Sequence, residues 1–153
     1  MTNQKLHFGE EFPYFGNWRE YQWHEVYFYI HRNQKLFVHE ADGMLYFLIG
    51  HAYDPFAVIA DEQEILERLA AGSGGDFEKA IPYIDDLTGL FLMGFMDDKK
   101  LTFWGDFESM RATYFGQVGE HWYLASHEEL VALREELTWD PYVERLEIGR
   151  AHV

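Results

Sequence analysis

Two blocks of short strands, with a helical stretch between them, set what this chain can fold into. In the first block "VYFYIH" (Val26–His31) is β-branched and aromatic, and "KLFVHE" (Lys35–Glu40) alternates in polarity. "MLYFLIG" (Met44–Gly50) is a third apolar run. Arg32–Gln34 and Ala41–Gly43 are turn signals, so these three strands are predicted to form an antiparallel meander. The second block holds four strands: Gly89–Asp97, Lys100–Asp106, Arg111–Gly119 and His121–Ser126. Between the blocks, Asp61 is placed to cap a helix, with Glu64 as its capping-box partner. Ile65, Leu66, Leu69 and Ala70 fall on one face of that helix, which breaks at Gly72–Asp76. A second short helix is predicted over Phe77–Asp86, kinked or delayed by Pro82. Ser126 and Glu129 form another capping box ahead of Leu130–Leu137, and Asp140 with Pro141 opens a last helix over Trp139–Leu146. This order lacks the strict strand–helix alternation of a parallel fold and predicts an α+β domain with antiparallel sheets. Residues 1–24 are polar and aromatic with weak periodicity. The expected organisation is therefore an irregular segment over 1–24, the domain over 25–137 and a C-terminal helix over 138–153.

Charge narrows the function. Twelve Lys and Arg stand against 27 Asp and Glu, a formal charge of −15. A phosphate backbone needs cation clusters, which are not visible here, and an anionic membrane surface repels such a chain. Nucleic acid and membrane are therefore not expected partners. The chain has no cysteine, which rules out disulfides, thiolate metal sites and a cysteine nucleophile. No apolar run reaches signal-core or membrane-spanning length, and a cytoplasmic location is expected. Aromatic residues make up 18% of the 153, more than a core of this size requires, so part of them is expected on a partner-facing surface.

Three local features invite chemistry. His31, His39 and His51 sit at or near the ends of three successive strands, where they could converge on a metal, but their spacing matches no ligand signature and no metal is expected. "SGGD" (Ser73–Asp76) resembles the start of the pyrophosphate loop of ATP pyrophosphatases. It follows a helix rather than a strand, and Phe77 and Glu78 stand where a serine is needed, so it reads as a helix-ending glycine loop. Thr2 would become a nucleophile activated by its own amine if Met1 were removed. That requires a residue fixed at the start of a buried strand, and "TNQKLHFGEEF" does not read as one.

The stretch Leu87–Leu130 resembles the class II glutamine amidotransferase domains at the front of asparagine synthetases. Leu87, Gly89 and Phe91 fill the first of that family's motifs, Asp106 the aspartate of the second, with Tyr114 and Phe115 for its paired aromatics. Ala125 and Ser126 fill the third, where His127 replaces a glutamate. Upstream, "IGHAYD" (Ile49–Asp54) aligns with the glutamine-pocket motif, with Gly50 and Tyr53 matching and Asp54 close to the last asparagine. The resemblance spans Val26 to Leu137. It implies an N-terminal-nucleophile-hydrolase-like fold, with stacked antiparallel sheets and flanking helices.

The departures are chemical. The family's attacking cysteine is missing, its oxyanion-stabilising asparagine is Ile49, and its ammonium-binding glutamate is His51. Gly105, Ser109 and Ala112 depart from the second motif. The resemblance thus implies a non-catalytic domain of an asparagine-synthetase-like, ATP-dependent amide-forming protein, structural or regulatory in role and without cofactor. Its expected partner is a downstream ATP-pyrophosphatase domain, of which this chain would be a truncated front piece, or a second copy met through the aromatic surface. The expected vestigial pocket is Ile49, Gly50, His51, Tyr53, Asp54, Asp106 and Ser126. Two alternatives stay open: an amino-acid-binding module using that pocket, and a hydrolase with Thr2 as nucleophile.

Overall fold

The computed structural model describes residues 1–11, 16–106 and 112–132. The expected helix over Trp139–Leu146 lies outside them. In chain order the elements are α1 (Phe8–Glu11), β1 (Trp18–Trp23), β2 (Val26–His31), β3 (Leu36–Ala41), β4 (Met44–Tyr53), α2 (Glu62–Ser73), α3 (Phe77–Ile84), β5 (Thr88–Met96), β6 (Leu101–Gly105), β7 (Tyr114–Val118), β8 (His121–Ala125) and α4 (Glu128–Ala132). All strand pairs are antiparallel, and the chain is α+β.

The predicted three-strand meander is divided. β3 and β4 pair, and the sheet continues in the order β3-β4-β5-β6. β2 instead pairs with β1, in a segment expected to be irregular. The turn at Arg32–Gln34 carries the chain from one sheet to the other. It is held by the Arg32 N–H on Asn17 C=O and the Gln34 N–H on His31 C=O, both at 2.8 Å. The second block divides in the same way, with β5 and β6 in the four-stranded sheet and β7 and β8 forming a separate hairpin. Thr2 joins the β1–β2 and β7–β8 hairpins through bridges to Tyr27 and to Tyr123.

Alternation along the strands builds the layers. From β4, Leu45, Phe47 and Ile49 meet Phe28 and Ile30 of β2, Leu92 and Met96 of β5 and Leu124 of β8. The Phe28 and Phe47 rings cross edge to face at 5.6 Å. This core lies between the four-stranded sheet and the paired hairpins. The alternate residues Tyr46, Leu48 and Ala52, with Phe91, Met93 and Phe95, meet Ile65, Leu66, Leu69 and Ala70 of α2 and Ala80 of α3. On the far face of the hairpins Tyr29 packs with Leu6 and with Leu130 of α4. The order across the molecule is helices, sheet, hairpin sheet, short helical cover. Each fully buried Leu or Phe contributes about 1.5–3 kcal/mol.

Both middle helices start at capping aspartates, and Pro82, expected to kink or delay the second, lies inside α3, which begins at Phe77 without delay. Asp61 caps α2 by accepting the N–H groups of Gln63 and Glu64, and α2 ends where Gly74 takes the left-handed conformation with φ of 54°. Asp76 caps α3 through the Lys79 N–H. "SGGD" is thus the junction between two helices. Among the described residues no helix is long and apolar enough to cross a membrane.

Candidate functional site

The Met1–Thr2 segment runs antiparallel to both β2 and β8, so those two strands run parallel to each other with the N-terminus between them. Thr2 exchanges backbone hydrogen bonds with Tyr27, at 3.0 and 2.8 Å. The Met1 α-amino group donates to Leu124 C=O at 2.8 Å, and the Leu124 N–H donates to Met1 C=O at the same distance. In register, the space beyond Met1 is flanked by Tyr29–His31 on one side and by Ala125–His127 on the other. A cavity of about 640 Å³ lies there.

The cavity has an apolar floor and a polar mouth. Ile30, Ile49, Leu92 and Leu124 line its depth and are buried. His31, Gln34, Ser126 and His127 line its rim and are half-buried or exposed. His31 Nδ1 accepts the Asn33 N–H at 3.3 Å, which leaves the ring proton on Nε2 as a donor. The His31 ring is set edge-on against Trp18 at 6.1 Å. On the opposite strand Ser126 Oγ and His127 Nδ1 are 2.9 Å apart. Met1 also lines the cavity; burial pushes the pKa of its α-amino group down to about 5, so near neutral pH that group is an uncharged base.

Only part of the expected pocket comes together here. Ile49 and Ser126 line the cavity. Gly50, His51, Tyr53 and Asp54 continue along and past β4 towards α2, and none of them lines it. His51 Nδ1 lies 2.8 Å from Glu62 Oε1 at the start of α2. Asp54 is buried; its Oδ1 accepts the N–H groups of Phe56 and Ala57, and its Oδ2 meets the Arg68 guanidinium at 3.2 Å. Tyr53 is paired across the strands with Thr88. Asp106 is buried beyond β6, with its N–H on Phe91 C=O at 3.1 Å. These residues tie β4, β5 and α2 together. β4 continues through Gly50, which has φ of 116°, to Tyr53, and carries these residues away from the cavity that Ile49 lines.

The three strand-end histidines also part. His31 reaches the cavity rim, His39 stands 6.4 Å from the Tyr46 ring, and His51 pairs with Glu62. Among the described residues no group of three His, Cys, Asp or Glu is arranged to hold a metal.

The segment after Thr2 forms no strand, as its sequence indicates, yet Thr2 itself is held by isolated bridges and buried. It is 2% exposed, sits at the start of the chain's first bridge, and lines the cavity. Its Oγ1 accepts the Gln4 N–H at 3.1 Å. The signal was too short to see, since an isolated bridge carries no periodicity. His127 was marked in the sequence only as a replaced glutamate, and its place at the rim follows from its position just after β8.

Compared with family models, with curated proteins and with solved structures, the chain matches none of them.

Proposed function

We propose that this chain is a non-catalytic, glutamine-amidotransferase-like domain of N-terminal-nucleophile architecture, which holds a small molecule in the cavity beside Met1. Its role is structural or regulatory, within an asparagine-synthetase-like, ATP-dependent amide-forming protein. One observation carries the reading: a cavity of about 640 Å³ opens where the first residue of the chain ends between two strands, over the facing core of a second sheet. That volume is within the roughly 300–1,000 Å³ of small-molecule sites. The wall supports binding over turnover. Its floor presents Ile49 where an oxyanion donor would be needed, and the chain has no cysteine to attack an amide. Phe56 and Phe115, 78% and 77% exposed, offer apolar surface to a synthetase domain or a second copy.

The test has two arms. Purified chain incubated with glutamine is expected to release no glutamate, and a thermal-shift panel of small metabolites is expected to contain at least one stabiliser, since a ligand of the native state raises Tm. Glutamate release, or a flat panel, would overturn the reading.

A second reading has its own observation, the burial of Thr2 at the cavity. An N-terminal threonine uses its own amine as base. With Met1 in place the Thr2 nitrogen is an amide that donates to Tyr27 C=O at 3.0 Å, and it cannot take a proton. Hydrolysis of amide or ester substrates by chain lacking Met1, abolished by Thr2→Ala, would favour this reading over binding.

A further inference from the structure

Resting on the reading of the cavity as a binding site, we infer that its ligand is a small apolar monocarboxylic acid, with its carboxylate at the His31–His127 rim and its hydrocarbon body on the Ile30–Ile49–Leu92–Leu124 floor. The first ground is charge. The chain carries 27 acidic residues, yet none of the described residues lining the cavity is Asp or Glu. A buried ammonium needs an anionic partner, because desolvation of an unpaired charge is costly. An amino acid would bring such an ammonium, and the described wall offers it none. The family position that would meet it, His51, is turned to Glu62 outside the cavity.

The second ground is the type of polar group present. The side-chain nitrogens lining this site are those of Asn17, Trp18, His31, Gln34 and His127. The His31 ring proton is on Nε2, because Nδ1 accepts the Asn33 N–H. Donors set at the mouth and hydrocarbon at depth match a carboxylate on an apolar chain. The third ground is position. The rim residues are the last of β2 and the first two after β8, so they face each other across the open register beyond Met1. A chain-like body laid in that register runs between the two strands towards the Met1 amine.

The experiment uses the full chain and reads Trp fluorescence, since Trp18 lines the cavity, together with Tm. Straight-chain carboxylates from butanoate to decanoate are titrated beside the matched primary amines, glutamine and leucine. Carboxylate affinity is expected to rise roughly three- to fourfold per added methylene until the cavity is full, while the amines and amino acids give no shift. His127→Ala, at an exposed position, is expected to weaken octanoate at least fivefold and to leave the matched alcohol octanol unchanged. Leu92→Trp, which fills the floor, is expected to shorten the longest chain accepted. Amines or amino acids binding as well as carboxylates would overturn the ligand class and leave the cavity reading standing. An unchanged octanoate affinity in His127→Ala would overturn the placement of the carboxylate. If no compound of any class binds, here or in the wider metabolite panel, the binding reading fails with it.

Discussion

Asp54 turns out to be a latch. Its resemblance-based place was in a glutamine pocket, yet "DPFA" also carries the local signal of an Asx turn, and the structure follows the local signal. Oδ1 holds the Phe56 and Ala57 N–H groups at 3.0 and 2.8 Å, and Oδ2 holds Arg68 at 3.2 Å. Asp54→Ala removes all three contacts at a buried position and is expected to cost roughly 2–3 kcal/mol in urea unfolding. Asp54→Asn keeps an acceptor for the turn and loses the charge pair, which is partly exposed on the Arg68 side, so its cost is expected to be under half as large. The same turn contains a strained residue. Val58 has φ of 57° and is 74% exposed, so its β-branched side chain bears the left-handed penalty without packing in return. Val58→Asn is expected to raise stability by about 1 kcal/mol, seen as a higher urea midpoint at unchanged m-value.

At the scale of elements, burial was legible in the continuous apolar runs and pairing was not. β2, β4 and β5, read as aromatic or apolar runs, are buried over consecutive residues, as strands covered on both faces are, while the alternating β3 is mostly half-buried. A turn such as Arg32–Gln34 looks the same in sequence whether the next strand pairs beside its predecessor or crosses to the other sheet. β1 escaped notice because "WREYQW" mixes exposed charge with aromatics, and only Tyr21 and Trp23 turn to the inter-sheet core. The cavity could not be read either, since it depends on isolated bridges that set the chain's start between β2 and β8. Close approach between strands is checkable at Gly94. A Cβ there would stand 2.4 Å from Thr102 C=O and 2.8 Å from the Phe47 ring, its cross-strand partner. Gly94→Ala is expected to lower stability by roughly 1–3 kcal/mol in denaturant unfolding. Adding Phe47→Leu is expected not to restore the wild-type midpoint, because the carbonyl clash stays and the leucine packs less surface.

At the scale of the molecule, the Met1–Thr2 segment joins the two hairpins, and this ties stability to pH. In the 153-residue chain the Met1 amine is buried between β2 and β8 with its pKa lowered from 8.0 to about 5. The unfolded chain therefore binds a proton between pH 8 and pH 5 that the folded chain does not. Stability from this group is complete above pH 8 and falls as pH drops towards 5, below which the loss levels off. A shift of that size corresponds to at most about 4 kcal/mol across the window. The chain also carries eight histidines, so the bare slope does not isolate the amine. Nα-acetylated chain does: it keeps every histidine and removes the titrating group, and the acetyl extends the chain past Met1, a residue that lines the cavity. Urea midpoints at pH 8.0 and 5.5 are expected to differ more in the free-amine chain than in the acetylated one. Equal differences in the two forms would mean that the buried amine is not the source. The same pair of proteins bears on ligand binding, because an acetyl placed in the register beyond Met1 competes with the end of a bound hydrocarbon chain. Decanoate is therefore expected to lose more affinity than butanoate on acetylation, and an equal loss would place the ligand elsewhere in the cavity.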